Sequence, residues 1–450
     1  MRRDGGCFVN NRGSSQDSVK VHDTLLNDAP RCLYPESALP AVPTPSLTHD
    51  ITVEVAVIGA GYTGLSAALH IAERDRVVAL LEKREPGWGA AGRNGGQVNA
   101  GLKHDPAIVE RDLGPVFGRR ILKLSGEAPD FVFSLITRLG IDCEAQRGGS
   151  LRAAYTTKQV DRLHAYVNQW RRYGAEVDLW EAAQVANATG TSRYVAAAYD
   201  RRGGSVNPLS FARGIARAAI RAGCTIYGST PATGLTREGS GWRIATPGGV
   251  VRAEKVIIAT DGYSDDLWPG LRKSIVPLFS AMIATEPLTC EIADTILPGR
   301  EVVYEGGNIA VYFRRDNANR LLMGGRGCQR RTNTHADYEH LVRYAERLWP
   351  QLARVEWTHW WNGQFALTPN FYPRFHAPAP NLFIVLGYSG RGLALGAAMG
   401  APLASLALGT PLKEFVLPVT PVRAIPLHRL WPIGVTAGVL RGRLLDRLGH

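Results

Sequence analysis

Three glycines and one glutamate in the first quarter of the chain have the spacing of a dinucleotide-binding turn. Gly59-Ala60-Gly61-Tyr62-Thr63-Gly64 matches the pattern GxGxxG. In this pattern the first glycine permits a tight turn, the second lets backbone approach a pyrophosphate, and the third lets a helix pack closely on a strand. Glu82 ends the next apolar run, where its carboxylate can accept hydrogen bonds from ribose hydroxyls, and Lys83 follows as a further candidate contact. These residues predict a site for the ADP half of a dinucleotide.

A second glycine-rich run, PGWGAAGRNGGQ, occupies residues 86–97, with five glycines between residues 87 and 96. A nicotinamide cofactor that comes and goes does not need such a run. A permanently bound flavin dinucleotide does, because backbone must pass along the rest of a long cofactor, and glycine allows that close approach. A surface loop is the alternative. The run therefore favours FAD.

The elements that position both motifs form a βαβ unit, because a strand, a glycine turn, a helix and a second strand follow one another. The strands are expected at 53–58 and 77–82, with the helix at 63–74. Further helices are expected at 107–139, 158–174, 208–222 and 336–349, a β-rich region at about 275–360, a strand at 382–386 and a helix from about 391.

This order predicts an α/β fold, with a Rossmann-like parallel sheet for the cofactor and an antiparallel sheet that roofs it. The expected divisions are an N-terminal arm at 1–50, a discontinuous FAD-binding domain at 51–125, 200–275 and 360–415, a substrate domain at 126–199 and 276–359, and a basic amphipathic segment at 416–450. The arm is polar and contains proline and serine, so we expect it to be mostly flexible and able to wrap the body of the protein.

Composition narrows the function classes. The net charge is +12, but the arginines are dispersed and form no groove with aromatics, so no nucleic-acid partner is expected. The cysteines have no metal-ligand spacing, so no metal is expected. The N-terminus lacks the apolar region of a signal peptide, which favours the cytoplasm. Arg391 interrupts the apolar run 382–409, so contact with a membrane is expected to be at most peripheral, through the C-terminal segment.

The motifs together resemble the D-amino-acid-oxidase-like superfamily of FAD oxidoreductases, whose fold is of the D-amino-acid oxidase and glutathione reductase type. Similar stretches include GAGYTGLSAALHIAE, GGSVNPLSFARGIARAA, KVIIATDGYSDDLWPGL, GQFALTPNFYPRF and LGYSGRGLALGAAMGAPLA. GRNGGQ is most similar to the amine-oxidising branch that includes gamma-glutamylputrescine oxidase. The resemblance covers residues from about 35 to 440.

The resemblance implies contacts along the whole cofactor. The ADP half would lie against the GxGxxG turn and Glu82. The remaining contacts would be Ala91, Gly92, Arg93, Asn94, Gly95, Gly96 and Gln97 along the ribityl chain, Thr260 and Gly262 near the pyrophosphate, and Gly387, Ser389, Gly390, Gly392 and Leu393 over the pyrimidine edge of the flavin. The helix that follows would aim its positive end at the flavin.

The chain departs from the family pattern at three places. Relatives usually have Asn where this chain has Asp261, and many have Asp where it has Asn370. The sarcosine-oxidase branch uses a lysine above the flavin to activate oxygen. The corresponding strand here, RLLMGGRG, has Leu322 and Met323 and no lysine. Either oxygen or a quinone therefore remains as the electron acceptor.

Candidate catalytic residues are Arg93, Tyr312, Arg326, Tyr388 and Arg391. An arginine can bind a substrate carboxylate through two hydrogen bonds, and the tyrosines can wall the flavin face. Further candidates for the wall are Trp361 and Gln364, and His104 and His359 are either bases or structural hydrogen bonders.

The resemblance implies oxidation of the CH–NH bond of a small amine or amino acid, with hydride transfer to flavin N5 and hydrolysis of the resulting imine. A gamma-glutamylputrescine-like or secondary amine is the first expectation for the substrate. The alternatives are a D-amino-acid or proline-type dehydrogenase that passes electrons to a quinone, an RNA-modifying flavoenzyme, and a flavin-carrying scaffold. The oligomeric state is left open.

Overall fold

The computed structural model describes residues 32–307, 311–332 and 334–447, and two eight-stranded sheets organise them. The helices are α1 Tyr34–Ser37, α2 Tyr62–Ala72, α3 Pro106–Leu139, α4 Thr157–Arg172, α5 Ala182–Thr189, α6 Pro208–Arg221, α7 Cys290–Ala293, α8 Glu339–Leu348, α9 Ala394–Ala407 and α10 Trp431–Arg447. The strands are β1 Ile51–Ile58, β2 Val78–Leu81, β3 Gln97–Val98, β4 Ser150–Ala154, β5 Val177–Glu181, β6 Ala196–Asp200, β7 Gly204–Ser205, β8 Thr225–Tyr227, β9 Gly234–Glu238, β10 Gly241–Thr246, β11 Gly249–Ile258, β12 Val276–Thr285, β13 Val302–Glu305, β14 Tyr312–Arg315, β15 Leu321–Arg326, β16 Trp357–Leu367, β17 Arg374–Ala379 and β18 Leu382–Leu386.

The first sheet has the order β17-β18-β11-β1-β2-β8, and β10 and β9 extend it from β11. β1 pairs in parallel with both β2 and β11, and β11 pairs in parallel with β18. Helix α2 connects β1 to β2, as the glycine turn predicted. The four residues of β2 are all buried, which explains why they read as a continuous apolar run. The predicted α/β fold with a parallel cofactor sheet is confirmed.

The second sheet has the order β16-β12-β15-β14-β13-β4-β6-β5 and is antiparallel except where β13 pairs with β4. Strand β16 pairs with β12 along most of its length. The boundary expected at residue 360 falls inside β16, so residues 360–367 belong to this second sheet. The boundary expected at residue 125 falls inside helix α3, whose buried residues on both sides of that point join the first sheet's core. The sequence did not reveal either point because apolar periodicity does not say which sheet an element packs on.

The apolar run 382–409 is accounted for by β18, a turn and helix α9, as predicted. Helix α9 is buried along nearly its whole length and packs against α2 and α3. A side chain at Gly400 would overlap Ser66 of α2, so this glycine permits the close approach of the two helices. Among the helices of the described residues, none is both long enough and apolar enough to cross a membrane.

The N-terminal arm is packed against the body where the structure describes it. Residues 1–31 lie outside the described residues, but Leu33 and Tyr34 are each only 1% exposed. The backbone N–H of Leu39 donates to Ser210 Oγ at 2.9 Å, and that of Leu47 donates to Thr230 Oγ1 at 3.0 Å. Residues 32–50 are therefore packed against the body. The irregular sequence of this stretch does not show where it contacts the body, because the contacts are made by backbone groups and a few buried side chains.

Candidate active site

A cavity of about 3200 Å³ is bordered by residues of both sheets. Typical small-molecule pockets occupy roughly 300–1,000 Å³, so this cavity has room for a dinucleotide together with a substrate. The carboxyl end of β1 opens into it through the GxGxxG turn, and the second sheet contributes residues such as Tyr304, Tyr312 and Gln364. The predicted GxGxxG motif and the second sheet therefore border the same cavity.

The three glycines of the turn have three different surroundings. Gly59 has a φ of +104°, a backbone conformation that L side chains rarely adopt. A side chain at Gly64 would overlap the carbonyl oxygen of Gly59, so this glycine lets α2 approach β1. A Cβ at Gly61 would meet no atom within 4 Å. The turn thus leaves open space at the N-terminus of α2, where free N–H groups favour an anion.

Glu82 follows β2 at the same edge. One carboxylate oxygen accepts the backbone N–H of Ala60 at 2.7 Å, and the other accepts that of Arg84 at 2.9 Å. Burial raises the pKa of Glu82, although these hydrogen bonds oppose the rise. Glu82 and Lys83 both line the cavity, so their positions suit contact with a ribose beside the turn.

The residues present fit FAD, because the cavity that Gly61 borders is also lined by residues of the second glycine run, including Gly89, Ala91 and Gly95. Two of its glycines serve packing instead: side chains at Gly92 and Gly96 would overlap the carbonyl oxygens of Gly87 and Val206. At Gly95 a Cβ would lie 2.7 Å from the ring of Tyr312. The run can therefore bring its backbone along a long cofactor only with glycine at these positions.

Buried polar groups fix the conformation of this run. The hydroxyl of Tyr62 donates to the carbonyl of Ala91 at 2.6 Å, and the side-chain amide of Asn94 donates to the same carbonyl at 2.9 Å. Nε of Arg314 donates to the carbonyl of Gly95 at 2.7 Å. Tyr34 donates to the carbonyl of Asn94 at 2.9 Å. Tyr62 and Asn94, predicted as cofactor contacts, thus also hold the run in place. No sequence motif marked Arg314 or Tyr34 for this role.

Arginines surround Trp88 at the cavity wall. The guanidinium carbon of Arg93 lies 4.3 Å from the Trp88 ring centre, that of Arg331 5.7 Å and that of Arg84 5.9 Å. Burial lowers the pKa of Arg331, and the charges of Arg93 and Arg84 lower it further. Three positive charges gathered at one wall suit a pyrophosphate, whose charge would relieve their repulsion.

The loop from Gly387 to Leu393 leads into α9. Gly387 and Gly390 have φ values of +83° and +89°, and a Cβ at Gly390 would meet no atom within 4 Å. The carboxylate of Asp261 accepts the backbone N–H of Gly387 at 2.7 Å. Burial raises the pKa of Asp261, although several backbone N–H groups oppose the rise. Helix α9 begins at Ala394, slightly later than expected, and its first turn borders the cavity.

The five candidate catalytic residues all line the cavity but differ in surroundings. The guanidinium of Arg391 lies 4.7 Å from the Tyr304 ring centre. The hydroxyl of Tyr312 is hydrogen-bonded to Ser280 Oγ at 2.7 Å, and burial raises the pKa of Tyr312 to about 12. Tyr388, in contrast, is buried with its hydroxyl bonded to Thr63 Oγ1 at 2.8 Å, which favours a positioning role over substrate contact. Arg326 lies beside α10, near the carbonyl of Val435.

Most of the predicted cofactor contacts also line the cavity. The exceptions are Gly64, Gly92, Gly96 and Gly387, at each of which a side chain would overlap neighbouring protein atoms. Gln97 lines the cavity, but its side-chain amide donates to the carbonyls of Val303 and Phe313 in the second sheet. Gly262 packs against β16, where a Cβ would come within 2.7 Å of Phe365. Thr260 Oγ1 is bonded to Ser264 Oγ at 2.7 Å.

The remaining candidates, for the wall of the site and for a base, each make a contact with the surrounding protein. Gln364 lines the cavity and donates to the carbonyl of Gly262 at 2.5 Å. Trp361 is fully buried, and its indole N–H donates to the carbonyl of Arg93 at 2.9 Å, so it supports the glycine run from behind. His359 lies 3.2 Å from the carboxylate of Glu36, and His104 Nε2 lies 2.8 Å from the carbonyl of Asn370. These contacts favour structural roles for both histidines.

The cavity also contains charged residues that sequence reasoning missed. Lys103 projects into it beside Arg391 and Arg152. The protein around Lys103 lowers its pKa to about 8, first by desolvation and then through the charges of Arg391 and Arg152. Arg152 is paired with Asp105 at 2.8 Å, whereas no described residue forms an ion pair with Lys103 or Arg391. Lys103 closely follows the glycine run in sequence, but no motif pointed to it.

The family of the protein follows from comparison with known proteins. Residues 54–406 match the family model described as FAD dependent oxidoreductase. The chain belongs to this family. It is 32% identical over 420 residues to gamma-glutamylputrescine oxidoreductase of Escherichia coli (strain K12), covering 92% of this chain and 98% of that protein. It is 26% identical to glycine oxidase of Geobacillus kaustophilus (strain HTA426), covering 80% of this chain and 93% of that protein.

A solved structure agrees with this assignment. The crystal structure of glycine oxidase from Geobacillus kaustophilus superposes with a TM-score of 0.69 at 24% identity, covering 81% of this chain and 96% of that one. The predicted family, fold and FAD cofactor are therefore confirmed, and the protein is an FAD-dependent oxidoreductase related to enzymes that act on amines and amino acids.

Proposed function

We propose that this protein oxidises the CH–NH bond of a small amine that also carries a carboxylate, giving an imine that water hydrolyses to an aldehyde or ketone. The observation that carries the proposal is the cationic pair Lys103 and Arg391 on the cavity wall. Neither has an ion-pair partner among the described residues, and the positive charge of Arg391 lowers the pKa of Lys103, so the two charges repel each other. A carboxylate bound between them would remove this repulsion and gain charge-assisted hydrogen bonds.

The names of two relatives support a substrate of this kind. Gamma-glutamylputrescine, in the name of the E. coli relative, and glycine, in the name of the Geobacillus kaustophilus relative, are both amines that carry a carboxylate. An alkylamine without a carboxylate would leave Lys103 and Arg391 repelling each other. The identity of 32% over 92% of this chain makes a gamma-glutamyl amine the first substrate to test.

The residues of the chain would bind and orient the substrate, while bound FAD supplies the flavin N5 that accepts the hydride. Tyr304 and Tyr312 provide apolar ring faces that exclude water beside the alkyl portion. Tyr312 stays protonated at neutral pH because burial raises its pKa to about 12, so its hydroxyl remains bonded to Ser280.

The test is anaerobic mixing of the FAD-loaded enzyme with gamma-glutamylputrescine and, separately, with putrescine, followed by flavin absorbance. These amines share the reacting aminobutyl end, and only the first carries the gamma-glutamyl group with its carboxylate. We expect rapid bleaching with the first and slow bleaching with the second. Equal rates with both amines would overturn the proposed carboxylate requirement. D-Alanine and proline in the same assay test the alternative of an amino-acid dehydrogenase.

The electron acceptor is measured in the same experiment. After anaerobic reduction, the enzyme is mixed either with air or with a short-chain quinone, and recovery of flavin absorbance is followed. The dehydrogenase alternative expects recovery with the quinone to be faster than with oxygen.

A further inference from the structure

The C-terminal segment lies across the mouth of the cavity. The cavity is bordered there by residues 425–431 and by part of α10, namely Ile433, Gly434, Val435, Gly438, Arg441 and Gly442. The backbone N–H of Ile425 donates to the carbonyl of Lys273 at 2.8 Å, and His428 Nε2 lies 2.7 Å from the carbonyl of Ile275. These contacts hold the start of the segment against the body, and α10 continues from there along the opening.

One face of α10 is apolar and exposed, and it runs from the cavity border at Ile433 to Leu440 and Leu444, which do not border the cavity. Ile433, Leu440 and Leu444 are 67%, 61% and 58% exposed, and their spacing places them on one face of the helix together with Ala437. Leu427 and Leu430, just before the helix, are 79% and 50% exposed. The apolar stripe is defined here as Leu427, Leu430, Ile433, Leu440 and Leu444. It contains five of the twelve large apolar side chains that are exposed in the described part of the chain. Such clustering marks an interaction surface, whereas scattered exposed apolar residues do not.

The charge around the apolar stripe is strongly positive. Residues 416–450 contain five arginines and one aspartate, within a chain whose net charge is +12. Arg441 is exposed and next to Leu440, and Arg429 lies between Leu427 and Leu430. An apolar helix face bordered by arginines matches an anionic lipid surface, where acyl chains receive the apolar side chains and phosphates receive the guanidinium groups.

We propose that α10 binds the surface of an anionic phospholipid bilayer and lies in its plane, so that the cavity mouth faces the membrane. This differs from membrane spanning, because no helix among the described residues is long and apolar enough to cross a bilayer. It is also favoured over pairing with a second copy through this face, since a two-fold interface would set one arginine-rich segment against another. The proposal does not depend on which amine is oxidised.

The test is co-sedimentation of the full-length, FAD-loaded protein with vesicles. One set contains phosphatidylglycerol and phosphatidylcholine, and the other contains phosphatidylcholine alone. The variants Leu440→Glu and Leu444→Glu alter exposed side chains that do not border the cavity. Val116→Glu is the matched control, because Val116 is a similarly exposed apolar residue, 55% exposed, on helix α3.

We expect the wild type and Val116→Glu to bind the anionic vesicles, with weaker binding to the neutral ones and in high salt. Each α10 variant should bind the anionic vesicles about tenfold more weakly or worse, because a carboxylate replaces a leucine that would enter the bilayer and is repelled by the lipid phosphates. Anaerobic flavin reduction by amine in solution should be unchanged in both variants, which separates this proposal from the proposed function.

Two results would overturn the proposal. One is absence of wild-type binding to anionic vesicles, or binding that the α10 variants retain. The other is a wild-type dimer in light scattering that Leu440→Glu converts to monomer without any vesicle binding, which would assign the apolar stripe to a second copy of the chain.

Discussion

The two ends of the cavity are built in different ways. At the dinucleotide end, the GxGxxG turn, Glu82 and the second glycine run come from one stretch, residues 59–97, and offer mainly backbone to the ligand. At the other end, Lys103, Arg152, Tyr304 and Arg391 come from distant parts of the chain and offer side chains. Parallel pairing of β13 with β4 places Tyr304 opposite Arg152. The first end depends on local conformation, whereas the second depends on the completed tertiary fold.

The largest effects are expected at Gly61 and Gly64, two glycines of the GxGxxG turn that differ in what surrounds them. Gly61→Val fills open space and keeps an ordinary extended conformation, so we expect the apoprotein to fold normally. The added methyl groups would occupy the space for the pyrophosphate and weaken FAD binding by about a hundredfold, which corresponds to ~3 kcal/mol. FAD titration by fluorescence quenching measures the affinity, and urea unfolding of the apoprotein measures the stability.

The matched variant is Gly64→Ala, whose methyl group would overlap the carbonyl oxygen of Gly59. We expect this variant to lower the free energy of unfolding of the apoprotein itself, by about 1–3 kcal/mol. If Gly61→Val were as unstable as Gly64→Ala without cofactor, the open space at Gly61 would not be a ligand site.

At the other end, Lys103→Met keeps the length of the side chain and removes its charge. Losing a charge-assisted hydrogen bond to a carboxylate costs about 1.5–3 kcal/mol, so we expect kcat/KM for gamma-glutamylputrescine to fall by about 10- to 100-fold, mainly through KM. The surface variant Lys123→Met, at a lysine whose side chain is 75% exposed, should leave both parameters unchanged. A fall in kcat with no change in KM would show that Lys103 acts on the reaction and not on carboxylate binding.

The pH dependence of kcat/KM also tests whether Lys103 binds the substrate carboxylate. The pKa of Lys103 is about 8 in the free enzyme, so the ammonium that would hold the carboxylate is lost as pH rises through 8. We expect kcat/KM for the carboxylate-bearing amine to decline above this pH, because kcat/KM reports groups of the free enzyme. Lys103→Met should abolish this alkaline decline. A decline that persists in the variant would assign it to another group.

Asp261 connects the two ends, because it binds the loop Gly387–Leu393 from the carboxyl side of β11. Asp261→Ala removes the acceptor for the Gly387 N–H, and we expect FAD affinity to fall by about tenfold as the loop loosens. The control is Asp265→Ala, another carboxylate after β11 that is exposed and makes no hydrogen bond to this loop. Equal FAD affinity in Asp261→Ala and wild type would show that the loop keeps its conformation without this bond.

Asp261 also predicts a dependence of stability on pH. Burial raises its pKa in the folded state, so the folded protein holds this proton more tightly than the unfolded chain does. The contribution to the free energy of unfolding is therefore greatest below the ordinary value of 3.8 and decreases as pH rises toward the raised pKa. Asp261→Asn should lack this decrease. Unfolding of both apoproteins in urea across pH 4–7 gives the difference, and parallel curves would contradict it.

Some elements could be predicted from the sequence and others could not. The βαβ unit and the helices of the first sheet were predicted because glycine conformation, capping and apolar periodicity are local properties. Lys103 and Arg314 were missed because their partners are far away in sequence and no pattern marks them. The strand β16 was partly assigned to the wrong sheet, since its partner β12 is fixed only by the tertiary fold. An arm that wraps the body was expected, but its contacts at residues 32–50 could not be located in the sequence for the same reason.

The smallest effect is expected at Tyr34, in the N-terminal residues 32–50. Its hydroxyl contacts the second glycine run at the carbonyl of Asn94. Tyr34→Phe removes the hydroxyl that donates to the carbonyl of Asn94 but keeps the edge-to-face contact with Trp361, whose ring centre is 5.2 Å away. We expect the free energy of unfolding to fall by about 1 kcal/mol, with a nearly unchanged flavin spectrum. Tyr227→Phe is the control, since the Tyr227 hydroxyl has no hydrogen-bond partner among the described residues. Equal stability of the two variants would mean that the N-terminal stretch is held by apolar burial alone, and a displaced flavin spectrum in Tyr34→Phe would mean that it also shapes the cofactor site.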